Sequence, residues 1–129
     1  MTSDPFKNCP VKVALSYIGK KWTLELIRDM MLGHRKFKDF LQENPQLSRK
    51  VLAQRLRELE NHHIITKRDT GNHFTIEYQL TERGFRLNRI LFELAQFSYD
   101  NYLEEVYEAQ SLSKEDFTAL MKKGFQIPE

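Results

Sequence analysis

The hydrophobic positions of the chain follow a helical period over most of its length and switch once to a period of two. Pro10 opens the short apolar run Val11-Lys12-Val13-Ala14-Leu15-Ser16-Tyr17-Ile18, which reads as a helix with Cys9 near its N-cap, Pro10 at its first position and Gly19 at its end. Trp22 to Leu32 forms a second apolar-periodic stretch, closed by Gly33 at the position where a helix commonly turns left-handed. A third helix is expected from about Lys36 to Glu43, stopped by Asn44-Pro45 because the residue before a proline resists helical geometry. Ser48 is a suitable N-cap for a fourth helix, Arg49 to Asn61, in which Leu52, Leu56 and Leu59 fall at i, i+4 and i+7 and so form one stripe facing a core.

The period then changes. Phe74, Ile76, Tyr78 and Leu80 alternate with Thr75, Glu77 and Gln79, the spacing of a half-buried strand. Ile64 to Arg68 is its expected partner, joined through Asp69-Thr70-Gly71-Asn72-His73, where Gly71 can take a positive φ. Beyond it, Thr81 is expected to cap one long helix from about Glu82 to Tyr107, whose ~26 residues would reach roughly 39 Å, too far for one small core to cover. Ser113, with Asp116 three residues on, marks the start of a last amphipathic helix carrying Phe117, Leu120 and Met121.

Four helices, a hairpin and two further helices predict a mainly α (α+β) fold. Specifically, this is a winged helix-turn-helix with a two-stranded β-hairpin wing and additional dimerisation helices. The chain is read as a single domain over 1–129. Its core lies at 8–95, with the recognition helix at 48–61, the wing at 64–80, and dimerisation elements at 82–129. Leu91, Leu94, Phe97, Tyr102, Phe117 and Leu120 are apolar positions of those last helices, and the family resemblance given below makes them the candidate dimer-interface residues.

Composition narrows the class. The 129 residues are 40% hydrophobic and include nine Phe, five Tyr and one Trp, enough bulky material for a sizeable core, which argues against disorder. A mean hydropathy of −0.60 and the lack of an apolar run near the ~18 residues a bilayer requires argue against a membrane protein. The first residues lack a secretory apolar stretch. Cys9 is the single cysteine, so no internal disulfide is available and a reducing, cytoplasmic location is expected. The net charge of +2 hides an asymmetry: residues 1–80 hold 14 Lys/Arg against 9 Asp/Glu, and residues 81–129 hold 6 against 9. A basic first part beside an acidic second part fits one surface for a polyanion and another for protein.

The fourth helix carries the sharpest chemistry. At about 100° per residue, the face opposite its leucine stripe holds Lys50, Gln54, Arg57 and Asn61, with small Ala53 beside them. Arginine reads guanine bidentately, glutamine and asparagine read adenine, and a small residue permits close approach to the groove floor. Ser48, Arg49 and Lys50 stand at the helix N-terminus, where free N–H groups and the positive dipole end attract phosphate. The same composition also fits an ordinary solvated helix face, and the hairpin that follows favours the DNA reading. On that hairpin Lys67 and Arg68 lead into the tip and Asn72 and His73 leave it, a placement suited to phosphate contacts. Arg35 and Lys36, within the His34–Lys38 basic cluster, are further backbone-contact candidates, as are Lys20 and Lys21.

Several motifs carry a family resemblance: Cys9-Pro10-Val11, Ile18-Gly19-Lys20-Lys21-Trp22, Gly33-His34-Arg35-Lys36-Phe37 and Leu47-Ser48-Arg49-Lys50-Val51-Leu52. They continue through Leu56-Arg57-Glu58-Leu59-Glu60 and Glu77-Tyr78-Gln79-Leu80-Thr81-Glu82-Arg83-Gly84, and together cover roughly residues 8–95. As a set they resemble the HxlR-type transcriptional regulators of the MarR-like winged-helix group. The resemblance implies a homodimer on an inverted-repeat operator of double-stranded DNA, a recognition helix at Ser48–Asn61 and a wing at Lys67–His73. It also implies dimer contacts from the N-terminal segment and the C-terminal helices. Two recognition helices must enter successive major grooves about 34 Å apart, which is the physical reason for a dimer.

Several HxlR-type regulators use a cysteine at the place of Cys9 to sense oxidants or electrophiles. The helix dipole and Lys7 or Lys12 are expected to favour the reactive thiolate here. With one cysteine per chain the products are an intersubunit disulfide, a mixed disulfide or an alkylated thiol; the alternative role is a small apolar side chain packing an interface. A small-molecule or oxidant effector is therefore compatible with the sequence. No cofactor is called for, and adjacent His62 and His63 point about 100° apart on a helix, unlike an i, i+4 metal pair. No nucleophile–base constellation, Gly-rich phosphate loop, GxSxG or HExxH supports an enzyme. The competing class is a winged-helix protein-interaction adaptor without DNA binding, with Phe92–Tyr107 gripping a foreign partner.

Overall fold

The computed structural model describes residues 5–71, 75–107 and 112–128. The elements are α1 (Pro10–Ile18), α2 (Thr23–Met31), α3 (Phe37–Glu43), α4 (Arg49–Asn61), β1 (Ile65–Asp69), β2 (Ile76–Leu80), α5 (Glu82–Phe85), α6 (Asn88–Asn101), α7 (Leu103–Val106) and α8 (Lys114–Gly124). Among the described residues no helix is long and apolar enough to cross a membrane.

Local chemistry sets most of the boundaries. Ser48 accepts the Val51 N–H at 3.1 Å and starts α4 where expected. Helix α4 ends in a Schellman motif: Ile64 N–H donates to the Leu59 carbonyl at 2.9 Å and His63 N–H to that of Glu60 at 3.0 Å. His63 takes the left-handed conformation this motif needs, at φ 60°. Ser113 accepts the Asp116 N–H at 3.1 Å and starts α8. Trp22, expected inside the second helix, instead stands before it as a left-handed N-cap with φ 79°.

The core forms where α2, α3, α4, β1 and α6 meet, around the fully covered Leu26, Ile27, Phe40, Leu52, Leu59 and Ile65. The leucine stripe of α4 faces it as the spacing predicts. Strands β1 and β2 pair antiparallel with Ile65 opposite Leu80 and Asp69 opposite Ile76. A further bond, from the Tyr78 N–H to the Arg35 carbonyl at 2.8 Å, ties the α2–α3 loop to the outer side of the hairpin.

A buried polar cluster braces the helix-turn-helix. Asp29, 1% exposed, receives Arg28 Nε and Nη2 on Oδ1 at 2.9 and 2.6 Å and Asn44 Nδ2 on Oδ2 at 2.7 Å. The same Asn44 amide also donates to the Phe40 carbonyl at 2.8 Å, so one side chain closes α3 and bonds to α2.

The single helix expected from Glu82 to Tyr107 is instead three, and none approaches the reach inferred for it; the 14 residues of α6 span roughly 21 Å. Two causes are visible. Thr81 and Gly84 pin α5 to the end of α4: the Thr81 hydroxyl donates to the His63 carbonyl at 2.7 Å and accepts the Gly84 N–H at 3.1 Å. Gly84 sits so close that a Cβ there would lie 2.2 Å from the Ile64 carbonyl oxygen. Helix α6 answers to other neighbours, α2 and α8, so the chain turns through Arg86 and Leu87. At the far end, Asn101 Nδ2 bonds back to the Phe97 carbonyl at 3.0 Å and the next residue, Tyr102, leaves helical geometry.

Candidate nucleic-acid interface

Helix α4 presents two chemically opposite faces. Leu52, Leu56 and Leu59 are buried, while Ser48, Arg49, Lys50, Gln54, Arg57 and Asn61 are exposed and Ala53 is half-buried between them. The cationic and amide side chains singled out from the helical period therefore share one accessible face. Arg49 lies over the Phe37 ring, 6.0 Å from its centroid, which steadies the start of α4 against α3.

The orientation of α4 is fixed by residues the helical period did not single out. Arg55 Nε donates to the Lys21 carbonyl at 2.8 Å and its Nη1 to Glu58 at 3.2 Å, while Lys20 Nζ meets the other Glu58 oxygen at 2.8 Å. These contacts clamp the back of α4 to the turn between α1 and α2. The Lys20 hydrogen bond chiefly, with the charges of Lys20 and Arg55, holds the Glu58 carboxyl below the usual carboxylate range against the opposing effect of burial. Lys20 is thus engaged in bracing the fold, whereas Lys21 leans toward the Trp22 ring at 5.4 Å.

The hairpin and the α2–α3 loop flank this face in sequence and differ in how free their charges are. Lys67 is exposed on β1 opposite Tyr78. Arg68 is exposed too, but Nη2 is 3.3 Å from Glu77 on β2, so its charge is partly matched inside the hairpin. Arg35 is exposed and donates to the Gln79 side chain at 3.0 Å, placing it at the base of the hairpin. Lys36 is the half-buried N-cap of α3, its N–H accepted by Asp39 at 3.2 Å. Asn72 and His73 lie outside the described residues.

The residues expected at a dimer interface divide. Leu91 and Phe117 are buried within the chain itself, Phe117 beside the Tyr99 ring at 4.6 Å between centroids, so their side chains serve this fold's own packing. Leu94, Phe97, Tyr102 and Leu120 are exposed. Helix α1, which the period placed without indicating its surroundings, is exposed along nearly all its length. Val11, Val13 and Leu15 are exposed, Tyr17 is exposed with its ring edge-on to His62, and only Ile18 is buried. Cys9 is exposed at its N-terminus.

The model of the HxlR-like helix-turn-helix family matches residues 17–107, a span holding α2 to α7 and leaving Cys9 and α8 outside. The HTH-type transcriptional regulator YodB of Bacillus subtilis is 33% identical over 98 residues, 74% of this chain and 87% of its own. YdeP of the same organism, described as an uncharacterized HTH-type transcriptional regulator, is 29% identical over 115 residues, 88% of both chains. Among solved structures, the redox regulator HypR in its oxidized form superposes with a TM-score of 0.68 at 32% identity, covering 72% of this chain and 97% of that one. Reduced YodB gives 0.63 at 33% identity, covering 76% and 97%. YodB has also been solved with quinone bound and after diamide treatment. The α3–α4 pair is thus the helix-turn-helix and the β1–β2 hairpin the wing of a winged-helix fold. With most of its length matched by that model, the chain belongs to the HxlR-like helix-turn-helix family of transcriptional regulators.

Proposed function

We propose that this regulator acts as a homodimer that binds an inverted-repeat operator in double-stranded DNA, with α4 in the major groove and the wing along the backbone. The observation that carries the reading is the split of α4, leucines buried and Lys50, Gln54, Arg57 and Asn61 exposed on one face. In this reading Arg57, Gln54 and Asn61 contact base edges. Ser48, Arg49 and Lys50 meet phosphate at the helix N-terminus, and Arg35, Lys36, Lys67, Arg68, Asn72 and His73 add backbone contacts. The exposed apolar side chains of α1, α6 and α8 form the dimer surface, since a monomer rarely leaves so many on view.

Selection from random duplexes followed by titration tests this. Arg57→Ala or Gln54→Ala is expected to lower discrimination between operators by about 1–3 kcal/mol per lost base contact. Arg68→Ala is expected to weaken all duplexes alike and to flatten the salt dependence by less than one counterion, because Glu77 already matches part of the charge. Unchanged binding at low salt in these variants refutes the assignment of groove and wing. A stable monomer with no affinity for duplex DNA supports an adaptor instead.

Cys9 is proposed as the point of oxidant or electrophile response, on its exposure and on the resemblance to HypR, named a redox regulator. Oxidation or alkylation there changes the relative placement of two α4 helices and so the half-site spacing. Operator affinity with and without diamide, in wild type and Cys9→Ser, checks this; an equal response in both excludes the thiol as the sensor.

A further inference from the structure

The turn between α1 and α2 is strained and is tied to α4. The Thr23 N–H donates to the Lys20 carbonyl at 3.1 Å, closing a four-residue turn with Lys21 and Trp22 at its centre. Trp22 stands at φ 79° and ψ −14°, while Lys21 keeps a negative φ. That combination is a type II turn, whose third position ordinarily holds glycine. A bulky side chain is strained there, and flipping the Lys21–Trp22 peptide to type I geometry would relieve it.

Arg55 opposes that flip. The turn aims the Lys21 carbonyl at α4, where Arg55 Nε donates to it at 2.8 Å. Arg55 Nη1 meets Glu58 at 3.2 Å, and the second Glu58 oxygen holds Lys20 Nζ at 2.8 Å. The Arg55 side chain is only 15% exposed, turned into the fold, whereas Arg49 and Arg57 of the same helix are exposed. Just past the end of α4, His62 lies edge-on to Tyr17 of α1 at 4.7 Å between centroids. Helices α1 and α4 are therefore joined at two points, and α1 carries part of the exposed apolar surface assigned above to the dimer.

We propose that Arg55 is a positioning residue for DNA recognition: by holding the Lys21 carbonyl it fixes the angle between α1 and α4, and so the half-site spacing the dimer accepts. This rests on the homodimeric DNA-binding reading above. In that reading α1 belongs to the subunit seam and α4 to a half-site, so their angle sets the separation of the two recognition helices. The scale is adequate. The 13 residues of α4 span roughly 20 Å, and a tilt of about 10° carries one end about 3 Å relative to the other. One base pair advances the duplex by about the same distance. Without the Arg55 bond the turn relaxes to type I, the Lys21 carbonyl turns away and the angle of α4 is less sharply defined.

Two measurements on the full chain test this. In a Cys9→Ser background, a spin label on Gln54→Cys puts one label on each α4 of the DNA-free dimer, and dipolar spectroscopy reads the distance between them. A single narrow distribution is expected. Arg55→Met, which keeps the apolar stem and removes the donors, should widen it about twofold or more. Glu58→Gln should widen it less, and Arg55→Lys should recover most of the narrow form. The second measurement, without label, titrates duplexes whose half-sites stand one base pair closer or farther apart. Arg55→Met should shrink the spacing preference by about threefold or more. Its salt dependence should match that of wild type, whereas loss of a phosphate contact lowers the slope by about one.

A wild-type distance width and spacing preference in a cooperatively melting Arg55→Met overturn the proposal. So does a slope lowered by about one, which makes Arg55 a backbone contact instead. Should Arg55→Met fail to melt cooperatively, Glu58→Gln carries the test, and a wild-type width there overturns the proposal. Widening in Arg55→Met together with no wild-type affinity for duplex DNA overturns the proposed function but not the Arg55 link between α1 and α4. No label-to-label distance at all overturns both.

Discussion

Asn44→Ala probes the buried brace of the helix-turn-helix. In the folded chain the Asn44 amide supplies the 2.7 Å bond to Asp29 Oδ2 and the 2.8 Å bond to the Phe40 carbonyl. Arg28 binds only Oδ1, so truncation leaves the second oxygen of a 1%-exposed carboxylate without a donor. A lost hydrogen bond to a charged group costs about 1.5–3 kcal/mol. The Phe40 carbonyl keeps the Asn44 backbone N–H at 3.1 Å, so the second loss adds only about 0.5–1 kcal/mol. Together these give about 2–4 kcal/mol, a drop in Tm on the order of 10 °C for a chain of this size. Urea unfolding at fixed protein concentration measures it, since dimerisation would otherwise shift the midpoint. The double variant Asp29→Leu/Asn44→Leu should cost less than the sum of its parts, because it removes both the charge and its missing partner. A loss under about 1 kcal/mol for Asn44→Ala, or single variants that add within about 0.5 kcal/mol, refutes the reasoning.

Three other changes test separate features. Gly84→Ala should cost about 1–3 kcal/mol, read from the thermal midpoint, because its methyl would meet the Ile64 carbonyl at 2.2 Å and lift α5 from the end of α4. His63→Gly should raise stability by about 0.5–1 kcal/mol, measured by denaturant titration, by relieving an L-residue at φ 60°. The folded-state pKa of Glu58 is lowered, so the Lys20–Glu58–Arg55 contribution is complete above the ordinary carboxylate pKa and is lost as pH falls through the folded value. Glu58→Gln should therefore be less stable by about 0.5–1 kcal/mol at neutral pH, with the gap closing in acid; a gap that persists when the carboxylate is protonated contradicts the ion-pair account.

Elements whose signals are local were legible in the sequence. Ser48, Ser113 and the leucine spacing of α4 act within a few residues, and so the start and end of α4 and the cap of α8 fall where the pattern put them. The exposed face with Lys50, Gln54 and Arg57 follows from the same period. The break after Phe85 was not legible, because it arises from Gly84 meeting Ile64 across the fold while the apolar period runs on undisturbed. Asn44 read as a helix stop before Pro45, and its burial beside Asp29 emerged only when α2 and α3 packed. One signal did exist, an acid at i+3 from Leu26 on the core face of α2. Arg55 likewise lay off both the leucine stripe and its opposite face, and its bond to Lys21 depends on a distant turn.

Helix α1 has a thermodynamic consequence. Nine residues cannot sustain helical order in water from their own backbone bonds. Intramolecular burial of Ile18 anchors just one end. In the homodimer proposed above the remaining order comes from association, so dilution below its dissociation constant would fray the segment from Cys9 inward. The surroundings of that sulfur are then set by protein concentration as much as by oxidant, and thiol labelling at rising dilution would report subunit exchange before any change in the winged core.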